Sequence, residues 1–136
     1  MTLPAWWDRF QERIDSLQIL IPQAIEDGER DRPISLPSLE NARTFAARLP
    51  GVRQPGTFIQ HDGLARLVWQ SGKVDGVCQF TEQVAIKFRE SDVVEFVLFR
   101  KESCTERTSD IIGYAHVDAI LGIVRDLKLE HVMTAN

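Results

Sequence analysis

Two cysteines, three histidines, two methionines and one tyrosine are all that 136 residues carry of these types. No Cys-x-x-Cys and no His-Glu-x-x-His occurs, and no histidine stands four residues from another, so the spacings that commonly hold a zinc ion are missing. The glycine patterns GxGxxG, GxxxxGKS and GxxxxGKT are absent too, which removes a dinucleotide fold and a P-loop. There is no Gly-x-Ser-x-Gly nucleophile elbow. No run approaches the roughly 18 apolar residues of a membrane span. Asp8, Arg9, Gln11, Glu12 and Arg13 interrupt the stretch that a signal peptide would need as its apolar region. Neither charge sign dominates: 16 basic and 20 acidic residues leave a net −4. A dedicated, strongly basic nucleic-acid binder and a densely acidic nucleic-acid mimic both fit that balance poorly. The expectation is a cytoplasmic protein with no metal, no cofactor and no membrane segment. Cys78 and Cys104 read as reduced thiols in that setting, although the sequence leaves their pairing open.

What is present is an ample apolar core in a chain the size of one domain, residues 1–136. Phe10, Ile14, Leu17 and Ile21 recur at helical spacing and predict a helix over 4–21, with Thr2 as a cap, Pro4 in its first turn and Pro22 as its stop. A polar, Gly- and Pro-punctuated connection covers 26–34. A second helix follows over roughly 37–49, capped by Ser35, striped by Leu39, Ala42, Phe45, Ala46 and Leu49, and ended by Pro50-Gly51. Gln54-Pro55-Gly56-Thr57 has the residues of a type II turn.

From there the period changes to two. Short strands are expected at 57–60, 64–70, 74–80, 84–89 and 93–100, with turns at His61-Asp62-Gly63, Ser71-Gly72 and Glu90-Ser91-Asp92. The last strand, apolar on both faces, belongs inside the sheet. Residues 101–110 read as an exposed loop, 115–129 as a helix and the tail from Glu130 as frayed. Strands grouped between helices define an α+β fold: two N-terminal helices, an antiparallel meander of three to five strands, and a C-terminal helix packed on the sheet.

Few residues offer chemistry. Cys104 lies near Lys101 and Arg107, whose charge would lower a thiol pKa, so it is the better reactive cysteine; an ordinary surface thiol explains it more simply. His116-x-Asp118 resembles a ligand pair, but an acid near a helix start is explained by the helix dipole. Glu26, Asp27, Glu29 and Asp31 crowd one loop without the ladder of a calcium site.

Binding is better served. If Val84, Ile86 and Phe88 face the helices, Lys87 and Arg89 project to the other side of the sheet, and Arg66 joins them from a neighbouring strand. Apolar Val68, Val97 or Phe99 share that face, a mixture suited to a protein partner more than to a phosphate backbone. Adjacent Trp6 and Trp7 cannot both enter one helical stripe, so one is a candidate anchor for a partner or a second copy. Trp69, in register with Leu67, belongs to the core.

Residues 24–100 resemble a loose group of small, uncharacterised bacterial proteins encoded on mobile elements or near toxin–antitoxin-like loci. The resemblance rests on Ala24 to Arg30, Pro33, Ala42 to Leu49, Pro55, and Asp62-Gly63 leading through Leu67 to Trp69. The Gly72–Gln83 stretch and the C-terminal helix depart from it. It implies a non-enzymatic partner protein and transfers no catalytic residue. The functional expectation is an interaction module, such as an antitoxin, immunity protein or phage inhibitor, using Trp6, Trp7, Arg66, Lys87, Arg89 and Arg107. A nucleic-acid module using the basic sheet face and a small thiol-dependent enzyme are the alternatives.

Overall fold

The computed structural model describes residues 2–49, 51–105 and 108–134. The chain opens with helices α1 (Trp7–Glu26) and α2 (Leu36–Ala47). Among the described residues five strands follow: β1 (Gly56–Ile59), β2 (Ala65–Asp75), β3 (Cys78–Phe88), β4 (Val93–Glu102) and β5 (Thr108–His116). A 3-10 turn at Val117–Ala119 leads into α3 (Ile120–Asp126) and α4 (Glu130–Thr134). The strands lie side by side in chain order, each antiparallel to its neighbour. This is the α+β arrangement that the change of period implies.

The helices gather on one face of the sheet. Phe10, Ile14, Leu17 and Ile21 of α1 and Leu39, Ala42, Phe45 and Ala46 of α2 are buried. They meet Leu67, Trp69, Val84, Ile86, Phe88, Val94, Phe96 and Leu98, the inward positions of β2, β3 and β4. The Phe45 and Phe88 rings touch at 5.3 Å between centroids. One buried hydroxyl fastens α2 to the sheet: Ser38 Oγ donates to the Phe88 carbonyl and accepts from the Ala65 N–H at 2.8 Å. Ser35 caps the same helix by accepting from the Ser38 N–H.

Gly63 brings the β1–β2 turn against the connection before α2. Its φ is +89°, and a Cβ there would lie 2.3 Å from the Pro33 carbonyl oxygen, so no other residue fits without shifting backbone. Ser35 N–H donates to the Gly63 carbonyl across this contact.

Several local expectations are corrected. Helix α1 runs through Pro22 to Glu26. Pro22 lies on the exposed side of the helix, where the missing backbone hydrogen bond is not forced into the core. Gly56 starts β1 opposite Val68 with no positive φ, so 54–57 is not a type II turn. Ser71-Gly72 continues β2, and the chain reverses instead at Gly76-Val77, where Gly76 has φ +64°. The two strands expected at 74–80 and 84–89 therefore become the end of β2 and one long β3. Of the expected loop 101–110, residues 101–102 end β4, 103–105 turn and 108–110 begin β5; Arg107 lies outside the described residues, as does Pro50. The expected 115–129 helix begins only after β5, because His116 is still paired with Val93.

The C-terminal segment is not a loose tail. Val132 and Met133 are buried, and Arg53 grips this end. Its guanidinium donates to the Val132 carbonyl at 2.9–3.0 Å and to the Gln70 carbonyl, while its own N–H donates to Met133 O at 2.8 Å. Glu82, a buried carboxylate on the inner face, meets His131 Nε2 at 2.7 Å.

The cysteines are also corrected. Cys78 and Cys104 form a disulfide across the far end of the β3–β4 pair, 26 residues apart in sequence. Such bonds belong to oxidising surroundings, so the cysteines no longer support a cytoplasmic setting. Cys104 is not a free thiolate, which removes the residue on which a thiol-dependent reaction would rest.

Two outcomes follow. Ser38→Ala leaves the Ala65 N–H buried without its partner and should lower unfolding free energy by about 1–3 kcal/mol, read from urea titration. Reduction of the disulfide should destabilise the chain by about 3 kcal/mol, read as a lower melting temperature in reductant, with no free thiol titrated before it.

Candidate functional site

Among the described residues nothing covers the face of the sheet opposite the helices, and strand register sorts its side chains into rows. One row crosses Phe58, Arg66, Lys87, Glu95 and Tyr114. The next crosses Gly56, Val68, Ala85, Val97 and Ile112. A third crosses Gln70, Gln83, Phe99 and Asp110. An apolar row thus lies between a charged row and a polar one. Ile112 is 72%, Tyr114 64% and Phe58 46% exposed. A groove of about 180 Å³ runs along this surface beside Arg66, Lys87, Val97 and Ile112.

The three expected cations are brought together only in part. Arg66 and Lys87 are directly opposed across β2 and β3. Lys87 does not stand free: its Nζ lies 2.5 Å from Asp62 and 4.0 Å from Glu95. Arg89, just beyond β3, lays its guanidinium over the Tyr114 ring at 5.8 Å from the centroid. The anticipated basic patch is therefore a mixed row in which Arg66 has no ion pair among the described residues.

The tryptophans belong to the helical side. Trp6 is buried, its Nε1 donating to the Val52 carbonyl at 2.8 Å, so it is not a surface anchor. Trp7 is half-buried and packs its ring on Phe10 at 5.4 Å. Neither shares a surface with Arg66, Lys87 or Arg89.

A larger cleft of about 580 Å³ opens between α2 and the 3-10 turn, with Phe45, Leu49 and Val94 in its walls and His116 at its edge. His116 stands between Asp92 at 3.9 Å and Asp118 at 3.5 Å. Its Nδ1 accepts from the Asp118 N–H, so the His116-x-Asp118 pair acts as a cap. Among the described residues no group of three His, Cys, Asp or Glu is placed to hold a metal ion.

Phe58, Ile112 and Tyr114 are the surface residues that sequence reasoning missed. The signal was available in the alternation Asp110, Ile112, Tyr114, His116, a period of two that the preceding polar stretch obscured. Comparison of the chain with family models, curated proteins and solved structures finds no match.

Asp62 anchors the charged row. Partial burial pushes its pKa up, but the hydrogen bond and charge of Lys87 and the Leu64 N–H outweigh that and hold it below the ordinary 3.8. A depressed carboxylate stabilises the fold above its unfolded pKa and loses that contribution as pH falls through the folded one. Asp62→Asn should therefore lower stability at neutral pH by less than about 1 kcal/mol, given its exposure to solvent. The difference from the parent chain should vanish in denaturant titrations below the folded pKa.

Proposed function

We propose that this chain is a non-enzymatic interaction module that binds a partner protein through the uncovered face of its sheet. The observation that carries the reading is the apolar row Val68–Ala85–Val97–Ile112, in which Ala85 is buried between its larger neighbours, bordered by Phe58 and Tyr114 and left without a covering layer among the described residues. An apolar centre with a charged border is the composition of a protein-binding patch. The partner would offer an apolar stripe with an acidic side chain placed to meet Arg66, the cation of this row that has no ion pair among the described residues. An antitoxin, immunity protein or inhibitor acts in this way, by covering a surface and not by chemistry. The nucleic-acid reading is weaker, because Asp62 and Glu95 neutralise Lys87 and Arg89 is engaged with Tyr114.

The test is cross-linking and mass spectrometry with the tagged full chain in a lysate of its source cell, run beside Phe58→Asp and Arg66→Glu. Both positions are on the uncovered face, and circular dichroism checks that the variants fold. One protein should cross-link to the parent chain and fall at least about tenfold in both variants, a change of about 1.4 kcal/mol or more in binding. Equal yields from all three chains would sink the reading. DNA binding at low salt that is lost in Arg66→Glu would favour the alternative.

A further inference from the structure

The two edges of the sheet are finished differently. At β1, Arg13 donates to the Thr57 carbonyl at 3.2 Å, and Arg30 donates to the carbonyls of Ile59 and Gln60. That edge is only four residues long, and arginines cover its end. At β5 no comparable device exists among the described residues. The strand is nine residues long, exposed along most of its length, and free of proline and lysine. No side-chain hydrogen bond among the described residues reaches the backbone between Asp110 and Tyr114. A long, apolar, unguarded edge is a template for another strand.

The phase of the ladder says which groups point outward. Val117 N–H donates to the Asp92 carbonyl, and the β4–β5 register continues unbroken from Val93–His116 to Lys101–Thr108. Antiparallel bonding alternates, so Ile111, Gly113 and Ala115 turn their N–H and C=O toward β4. Asp110, Ile112 and Tyr114 turn theirs to the open side. Their side chains share the uncovered face.

We propose that β5 pairs with β5 of a second copy of this chain, antiparallel about a two-fold axis at Gly113. This register joins the outward backbone groups of Ile112 to those of Tyr114 in the other copy, and the reverse. It sets the two most exposed apolar side chains of the strand side by side, and it puts Asp110 opposite His116 at both ends. Opposite-sign or hydrogen-bonding pairs directly across a ladder favour that register. With His116 Nδ1 accepting from Asp118 N–H, the ring's Nε2–H, 3.9 Å from Asp92 and beyond hydrogen-bond reach of it, is the donor that meets the Asp110 carboxylate. Gly113 suits the axis: a Cβ there would lie 2.9 Å from the Phe96 ring, so the position stays bare and the two strands meet without side chains at their centre. The result is one continuous ten-strand sheet, twice the five of each copy. The inference rests on the backbone edge of β5; Ile112 and Tyr114 also belong to the face proposed above, and the amide protection reads the edge alone.

Light scattering and hydrogen exchange test it on the full chain. The mass should be twice 15.5 kDa at high concentration. The amides of Ile112 and Tyr114 should gain protection as concentration rises, while those of Ile111 and Gly113, bonded to β4, are protected throughout. Ile112→Lys, at an exposed position, should raise the dimer dissociation constant at least about tenfold. Asp110→Lys should do the same, and adding His116→Asp, which keeps a capping side chain, should restore dimerisation. A mass of 15.5 kDa up to millimolar concentration, unprotected Ile112 and Tyr114 amides in the dimer, a dimer untouched by Ile112→Lys, or no recovery in the double variant would each overturn the proposal.

Discussion

The hydroxyl of Ser38 sits where α2, β2 and β3 meet, bonded to the Phe88 carbonyl on one side and the Ala65 N–H on the other. A buried polar group is tolerated only when its hydrogen-bonding capacity is met, and here the geometry that meets it also sets the distance between helix and sheet. With α2 held there, Phe45 reaches Phe88 and the apolar stripe of the helix closes over the inner rows of the sheet. The other attachments extend the same layer. Arg53 draws α4 against β2, and Glu82 with His131 secures its far side.

All of this lies on one side. The helices cover β1 to β4 from within, while most of β5 is exposed, Gly113 and Ala115 excepted, and among the described residues nothing covers the outer face. A single sheet covered once leaves an apolar row exposed unless polar side chains replace it. Here they replace it only at the borders. Asp62 and Glu95 more than offset Lys87 beside that row, so the charge near it directs contact more than it attracts a polyanion. The disulfide closes the end of the β3–β4 pair away from this charged row. It ties together the two long strands where the helices no longer support them.

Much of the fold is legible in the chain because amphipathic periods are local. The stripe Phe10–Ile14–Leu17–Ile21 and the alternation Val84–Ile86–Phe88 each identify an element and its buried face from a few residues. The Ser35 cap was legible for the same reason. The errors fell where a local signal was overridden. Pro22 did not stop α1, Gly72 did not turn β2, and the polar residues 101–102 and 108–110 did not prevent strand pairing. In each case the neighbouring element supplied what the local sequence withheld: core contacts for α1, and ladder hydrogen bonds for the strands.

The surface was harder to read. Arg66 and Lys87 fall on one face by counting alone, but counting cannot say that Asp62 comes back from the β1–β2 turn to neutralise Lys87. One of Trp6 and Trp7 is expected to be an anchor because adjacent tryptophans cannot share a stripe; the carbonyl of Val52, far along the chain, gives the Trp6 indole a buried partner. By itself the sequence determined the α+β class, the helical stripes and the inward register of the central strands, since those depend on residue spacing. Only the tertiary structure decided which polar groups are satisfied, that the two cysteines meet, and which edge and face are left bare among the described residues. Those outcomes depend on contacts between residues distant in sequence, and no local period encodes them.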